Sequence, residues 1–457
     1  MRFAPKYDPG FRPAILELRK FKDLVNESNN KSLLYICIER NDGYNYHLKM
    51  DIFQDNTGYD DYNYQIVERL VKTILWVAGG YKIYVAGSNE IYRRLKEEYQ
   101  KNGKREFDAL FMQRVYGFPF EVIKVTYDEI PPLKEEEIKI VNDLKGCRIG
   151  FDAGGSDRKV SAVVDGEVIF STETVWHPKL QSDPQYHYDG IVESFKLAAS
   201  KMPRVDAVGI SSAGIYINNE VRVASLFIKV PDDVFAREVK NIYIRAVKDT
   251  FGDIPFRVVN DGEVTALAGA NQLNANEVLG IAMGTSEAVG YVNKNHNLTG
   301  WLNELAFAPV DFNPMAMIDE WSGDYGCGVK YFSQDAVIKL AEAAGISFQD
   351  GMSPAEKLKY VQSLNNQNDE RAQTIFEDIG IYLGYTLAYY SEFYSIKHVL
   401  LLGRVMSGKG GDIIINVAKQ VLDNEFPEYK HINLTTPDEY TRRVGQSIAA
   451  ASLPNLE

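Results

Sequence analysis

Four short glycine-bearing turns within residues 147–457 carry the side chains best suited to chemistry. They are Asp152-Ala153-Gly154-Gly155-Ser156, Asn260-Asp261-Gly262-Glu263, Met283-Gly284-Thr285-Ser286, and Gly403-Arg404-Val405 running on to Gly408-Lys409-Gly410-Gly411. Each follows an apolar run that reads as a buried strand. Glycine lets backbone N–H groups approach phosphate oxygens where a side chain would intrude. An acid such as Asp152 beside such a turn suits a phosphate and a magnesium ion held through water. Asp261, at a strand end, can accept a proton from a substrate hydroxyl. The third turn suits a second phosphate hairpin, and the fourth lets a flat adenine or ribose lie against backbone. No Gly-Lys-Ser/Thr stands at Walker spacing. Taken singly, the turns have plainer readings: two tight hairpins, and a helix cap at Asp261. Their order along the chain is what argues for one nucleotide clamp.

The elements that must position these turns are legible in outline. Residues 1–30 carry no clear pattern. A hairpin is predicted from Leu34–Ile38 and Tyr46–Phe53 about Asn41-Asp42-Gly43, then a helix through Ile66, Leu70, Ile74 and Val77 stopped by Gly79-Gly80. A strand at Tyr81–Ala86, a charged helix over 89–103 and a strand at Phe120–Val125 follow. Ile130-Pro131-Pro132-Leu133 and the acidic run after it read as a linker. Beyond it, strands at Cys147–Phe151, Ser161–Val164 and Glu167–Phe170 lead to a helix near Ile191–Ser200 and a strand at Ala207–Ile210. Phe256–Val259 is a strand, Val264–Ala270 a helix. Helices are expected over 335–345, 354–364 and 370–396, then the strand His398–Leu402 and a helix at Asp412–Leu422. Residues 30–128 repeat the order of the region after the linker, down to Pro119-Phe120-Glu121-Val122 beside Pro255-Phe256-Arg257-Val258. A degenerate lobe copy and a separate small α/β domain explain this equally well.

At 457 residues, with 45% hydrophobic and 25% charged residues, the chain reads as an ordinary globular protein of two or three domains. A net charge of −13 argues against a duplex-binding surface, so no nucleic-acid partner is expected. No apolar run is long enough for a bilayer and no leader is visible, so no membrane association and a cytoplasmic location are expected. Cys37, Cys147 and Cys327 are too few and too scattered for a disulfide framework or a zinc site.

Together the four turns resemble those of the sugar kinase, Hsp70 and actin superfamily, and within it the ROK family of bacterial sugar kinases and regulators. Val208-Gly209-Ile210-Ser211-Ser212-Ala213-Gly214 resembles that family's Gly-Ile-x-x-Pro-Gly segment, and Asn260-Asp261-Gly262-Glu263 its Asn-Asp-Ala-Asn segment. Trp301-Leu302-Asn303-Glu304-Leu305-Ala306-Phe307 resembles its Gly-Glu-x-Gly-His segment. The resemblance spans about residues 147–450. It implies an α/β chain with a two-lobed actin-like ATPase (ribonuclease H-like) fold. The expected domains are an additional N-terminal α/β domain at 1–145, a first lobe at 146–262 and a second at 263–457.

The implied activity is ATP-dependent phosphoryl transfer to a hydroxyl of a sugar or related small molecule, within a cleft that closes on substrate. Asp261 would be the catalytic base, with Asn260, Gly214 and Glu304 toward the substrate. Asp152, Gly154, Gly155, Ser156, Lys159, Gly284, Thr285, Ser286, Gly403, Arg404, Gly408, Gly410 and Gly411 would meet the nucleotide. Asp152 would hold magnesium through water. ATP and magnesium are the expected cofactors, zinc is not expected, and a homodimer fits the resemblance.

Several positions depart from the family pattern. Phe307 stands where the family histidine would, Cys327 is the one cysteine in the zinc-loop region, and Val329 replaces a sugar-binding glutamate. Ser286-Glu287 replaces a glycine, and a carboxylate there repels phosphate unless it faces away. A non-catalytic sugar or nucleotide sensor on the same lobes is therefore the alternative function. An actin-like scaffold is a third.

Overall fold

The computed structural model describes every residue except 141–143, 439–440, 442–444 and 457. The first elements are α1 (Ala14–Glu27), β1 (Lys31–Glu39), β2 (Asn45–Phe53), α2 (Asp60–Ala78), β3 (Lys82–Ala86), α3 (Asn89–Glu98), α4 (Glu106–Tyr116) and β4 (Glu121–Lys124). Next come β5 (Cys147–Ala153), β6 (Asp157–Val164), β7 (Glu167–Val175), α5 (Pro184–Ala199), β8 (Ala207–Ser212), β9 (Ile215–Ile217) and β10 (Glu220–Val223). They are followed by α6 (Asp232–Val234), α7 (Ile242–Phe251), β11 (Phe256–Asn260) and α8 (Asp261–Leu273). The chain continues through β12 (Val278–Met283), β13 (Glu287–Val292), α9 (Gln334–Ala343), α10 (Pro354–Asn366) and α11 (Glu370–Tyr390). It ends with β14 (His398–Leu402), α12 (Lys409–Glu425), β15 (Asn433–Thr435) and α13 (Gln446–Ala451).

By contacts, one compact unit comprises Met1–Glu136, Ile281–Val289 and Gly300–Thr435, and a second comprises Glu137–Gly280, Gly290–Thr299 and Thr436–Glu457. The second unit is built on a five-stranded sheet ordered β11-β8-β5-β6-β7. β5 is antiparallel to β6 and parallel to β8, and β8 is parallel to β11. All seven residues of β5 are buried, as a central strand covered on both faces must be. Ile191, Phe195, Tyr243 and Val247 from α5 and α7 fill one face with Ile149, Phe151 and Ile210. On the other face α13 lies directly on the sheet. A Cβ at Gly150 would fall 1.6 Å from the Ser447 carbonyl oxygen, and one at Gly209 would fall 1.6 Å from that of Ala450, so only glycine admits this approach.

The first unit holds two sheets, ordered β2-β1-β3-β4 and β13-β12-β14-β15. In the former, β1 is antiparallel to both β2 and β3, and β3 is parallel to β4. Deleting β5 from the second unit's sheet would leave β11-β8-β6-β7, with β8 antiparallel to β6. That is the order and direction of β4-β3-β1-β2, so the N-terminal sheet repeats the other's topology without its central strand.

Three helices differ from the sequence expectations. Residues 14–27 form α1, whose Ala14, Leu18, Phe21 and Val25 are buried at helical spacing although no side chain caps it. The helix predicted over 89–103 ends at Glu98, and α4 forms at Glu106–Tyr116, where buried and half-exposed apolar residues alternate irregularly.

A buried ion cluster lies within the first unit. Asp324 contacts Arg69 at 2.8 Å, Lys72 at 3.0 Å and Arg105 at 2.9 Å, and Glu68 and Asp108 complete three charges of each sign. Burial alone would raise the Asp324 carboxyl, but Arg69 and Lys72 bring it below the usual carboxylate range.

Candidate active site

The second unit gathers its polar groups at the C-terminal ends of its parallel strands, where open α/β sheets bind ligands. Register sets Asp152 beside Ser211, and Ser212 beside both Ala153 and Asn260. Ser211 Oγ donates to Asp152 Oδ1 at 2.7 Å. Asp152 is buried, which pushes its carboxyl up to about 6; the negative charge of Asp261 adds to the rise and Lys159 opposes it. Asp152 and Asp261 are therefore within electrostatic reach of one another.

The cap of α8 is Asn260, not Asp261. Asn260 Oδ1 accepts from the Gly262 N–H at 2.7 Å, and its Nδ2 donates to the Gly214 carbonyl at 2.6 Å. Gly214 has φ +136°, and a Cβ there would meet the Val223 carbonyl oxygen at 2.5 Å. Asp261 is half-buried and accepts from Gly262 N–H through one oxygen at 3.0 Å. Burial raises its carboxyl, while the Gly262 amide and the Lys179 ammonium oppose the rise. Ser212 Oγ lies 2.8 Å from Tyr243 Oη and 2.7 Å from Tyr216 Oη. Sequence reasoning missed this hydroxyl network, because its members are far apart in the chain.

At the first turn the Trp176 indole N–H donates to the Gly154 carbonyl at 2.8 Å. Ser156 Oγ donates to Asp157 at 3.1 Å. Lys159 sits on β6 with Asp157 and Glu173 at 3.8 and 3.7 Å.

The remaining nucleotide candidates belong to the first unit. Gly284 N–H donates to Ser286 O at 3.0 Å, closing a tight turn that exposes Thr285 and Ser286, and Gln334 N–H holds the Gly284 carbonyl at 2.9 Å. Gly403, at φ +96°, abuts Met283, so the β14 turn packs on the β12–β13 turn. Gly403, Arg404 and Gly408 are exposed. Gly410 and Gly411 are buried in the first turn of α12. Cβ atoms there would strike Phe376 at 2.7 Å and the Met406 carbonyl at 2.1 Å, so packing already explains these two glycines.

Glu287, a potential repellent beside phosphate, points inward. It is 4% exposed, and Tyr390 Oη donates to it across a long 3.5 Å. Burial pushes its carboxyl up to about 8, Tyr390 lowers it and Glu304 raises it, so the side chain is neutral at pH 7. Wild type must then lose stability between an unfolded value of about 4.3 and about 8, because the unfolded chain ionises first. Glu287→Gln is expected to stabilise by about 2–4 kcal/mol at pH 8 and by little at pH 5. Urea unfolding at both pH values checks this; an unchanged pH slope would show that the folded carboxyl is ionised.

Glu304 stands on the N-terminal region. The Asn303 and Glu304 N–H groups donate to the Val77 and Trp76 carbonyls at 3.0 and 2.9 Å, and the Trp76 ring lies 4.4 Å from that of Phe307. Cys327 is buried, and among the described residues no group of three His, Cys, Asp or Glu is arranged to hold a metal ion.

No protein-family sequence model matches the chain, and no curated protein matches it in sequence. Solved structures do match. ROK hexokinase from Thermus thermophilus aligns with TM-score 0.53 at 16% identity, covering 67% of this chain and 97% of that one. A putative sugar kinase from Cytophaga hutchinsonii gives 0.51 at 17%, covering 67% and 99%. A ROK family transcriptional regulator, a homologue of the E. coli MLC protein, gives 0.51 at 17%, covering 68% and 80%. The chain therefore has the α/β actin-like ATPase fold of the ROK proteins. The likeness drawn from the four turns holds at the level of fold, and about a third of the chain lies outside the match.

Proposed function

We propose that the chain is a divergent ROK-type phosphotransferase that moves the γ-phosphoryl group of ATP to a hydroxyl of a sugar or related small molecule. The observation that carries this reading is the division of labour at α8: Asn260 caps the helix, so Asp261 is not consumed as its cap. Asp261 would take the hydroxyl proton as the acceptor oxygen attacks phosphorus. Asn260 spends both amide ends on the fold, so it positions Gly214 and Asp261 rather than reading substrate. Glu304 remains the candidate for substrate hydroxyls. Asp152, Gly154, Gly155, Ser156 and Lys159 would contact phosphate, and Gly284, Thr285, Ser286, Gly403, Arg404 and Gly408 are further candidates for contact with nucleotide.

Magnesium fits this donor set, because Asp152 offers a hard carboxylate with one oxygen oriented by Ser211. When bound, magnesium would neutralise phosphate charge. Residues 1–145 are read as a lobe copy lacking the strand that elsewhere carries Asp152, which accounts for the absence of phosphate turns there. The neighbours include a transcriptional regulator as well as kinases. With Phe307 and Val329 altered, a non-catalytic sugar or nucleotide sensor in the cytoplasm is the second reading.

A thermal-shift titration with magnesium-ATP, alone and with a sugar panel, tests the reading without needing turnover. Ligand at ten times its Kd should stabilise by about 1.4 kcal/mol. No shift at millimolar magnesium-ATP would count decisively against the phosphotransferase, and no shift with any sugar either would count against the sensor as well.

A further inference from the structure

The segment after β7 is fastened to the first glycine turn. Trp176 donates its backbone N–H to the Ser156 carbonyl at 3.1 Å and its indole N–H to that of Gly154 at 2.8 Å. Two residues on, Pro178 is buried, and His187 Nε2 lies 3.0 Å from both the Pro178 and Leu226 carbonyl oxygens. These anchors set Lys179 over Gly155. A Cβ at Gly155 would lie 3.2 Å from Lys179 Cε and 3.4 Å from Nζ. The same ammonium acts on the Asp261 carboxylate. Lys179 is exposed, and among the described residues it forms no ion pair, whereas Lys159 faces Asp157 and Glu173. An unneutralised cation thus stands at the turn proposed to hold phosphate and near the proposed base.

We propose that Lys179 is a further catalytic residue, whose ammonium binds the γ-phosphoryl group and neutralises charge on it during transfer. This rests on the phosphotransferase reading. In that step the acceptor oxygen forms a bond to the γ-phosphorus, the bond from that phosphorus to the β,γ-bridging oxygen breaks, and its electron pair leaves with ADP. The hydroxyl proton passes to Asp261. A lysine ammonium is a compact point charge on a flexible stem, suited to following the phosphoryl group between donor and acceptor.

The test compares full-length wild type, Lys179→Ala and Lys179→Arg by calorimetric titration with magnesium-ATP and magnesium-ADP, alongside ADP release. Wild type should prefer ATP to ADP. Lys179→Ala should weaken ATP about tenfold while leaving ADP within about twofold, and Lys179→Arg should restore most of the preference. Because Lys179 is exposed, the apo unfolding midpoint should not move. Wild type without a preference for ATP, or an alanine variant that keeps it, overturns the role of Lys179 and leaves the phosphotransferase reading standing. Wild type that binds neither nucleotide overturns that reading and the Lys179 role with it.

Discussion

Asp261→Asn should lower phosphoryl transfer by about 10²–10⁴-fold, the usual contribution of a positioned general base, while magnesium-ATP affinity stays within about twofold. The substitution is nearly isosteric. Asn260 still caps α8, and an amide oxygen at 261 can still accept from the Gly262 N–H. What is lost is the ability to take a proton. Burial raises the Asp261 carboxyl, which brings a carboxylate closer to the pH at which it must work. ADP release with acceptor present, paired with calorimetric ATP binding, checks both halves. Unchanged turnover would remove Asp261 from the mechanism, and lost ATP binding would mean that the variant had disturbed the fold.

The second large effect is structural. Asp324→Ala should cost about 3–5 kcal/mol, because it leaves Arg69, Lys72 and Arg105 with only Glu68 and Asp108, and so one uncompensated positive charge in an interior that cannot hydrate it. All three cations are 2% exposed or less. The Asp324 carboxyl sits below its ordinary range, so its contribution is present above the unfolded value and fades as pH falls through the folded one. The urea midpoint at pH 7 measures the loss. Adding Lys72→Met should recover part of it by removing one uncompensated cation. A cost below about 1 kcal/mol would mean that water reaches the cluster. Glu304 is exposed to the same change, since α2 carries both Arg69 and Lys72 and the carbonyls that hold residues 303–304.

Much of this was legible because the signals were local. The apolar run before Asp152, the polar Asn260-Asp261 pair before a small-residue helix, and the Gly284 turn each announce themselves within a few residues. Helix α1 was readable in principle from Ala14, Leu18, Phe21 and Val25, but it lacks a capping side chain to mark its start. The four turns also fitted one fold as a set, and the solved ROK structures share that fold.

Other features have no local signature. A glutamate after Gly-Thr-Ser reads as charge beside phosphate until burial turns Glu287 inward and neutral. Whether Asn260 or Asp261 caps α8 depends on the Gly214 carbonyl, 46 residues away. Arg69 meets Asp324 across 255 residues, a pairing no hydrophobic period can encode. Lys179 reads as a loop lysine until Trp176 and Pro178 set it over Gly155. Which backbone turns exist follows from local glycine and strand patterning, which acts over a few bonds. Tertiary structure alone decided which charges stand beside those turns and which are buried and neutralised, because burial and charge pairing depend on what the whole fold brings within a few ångströms.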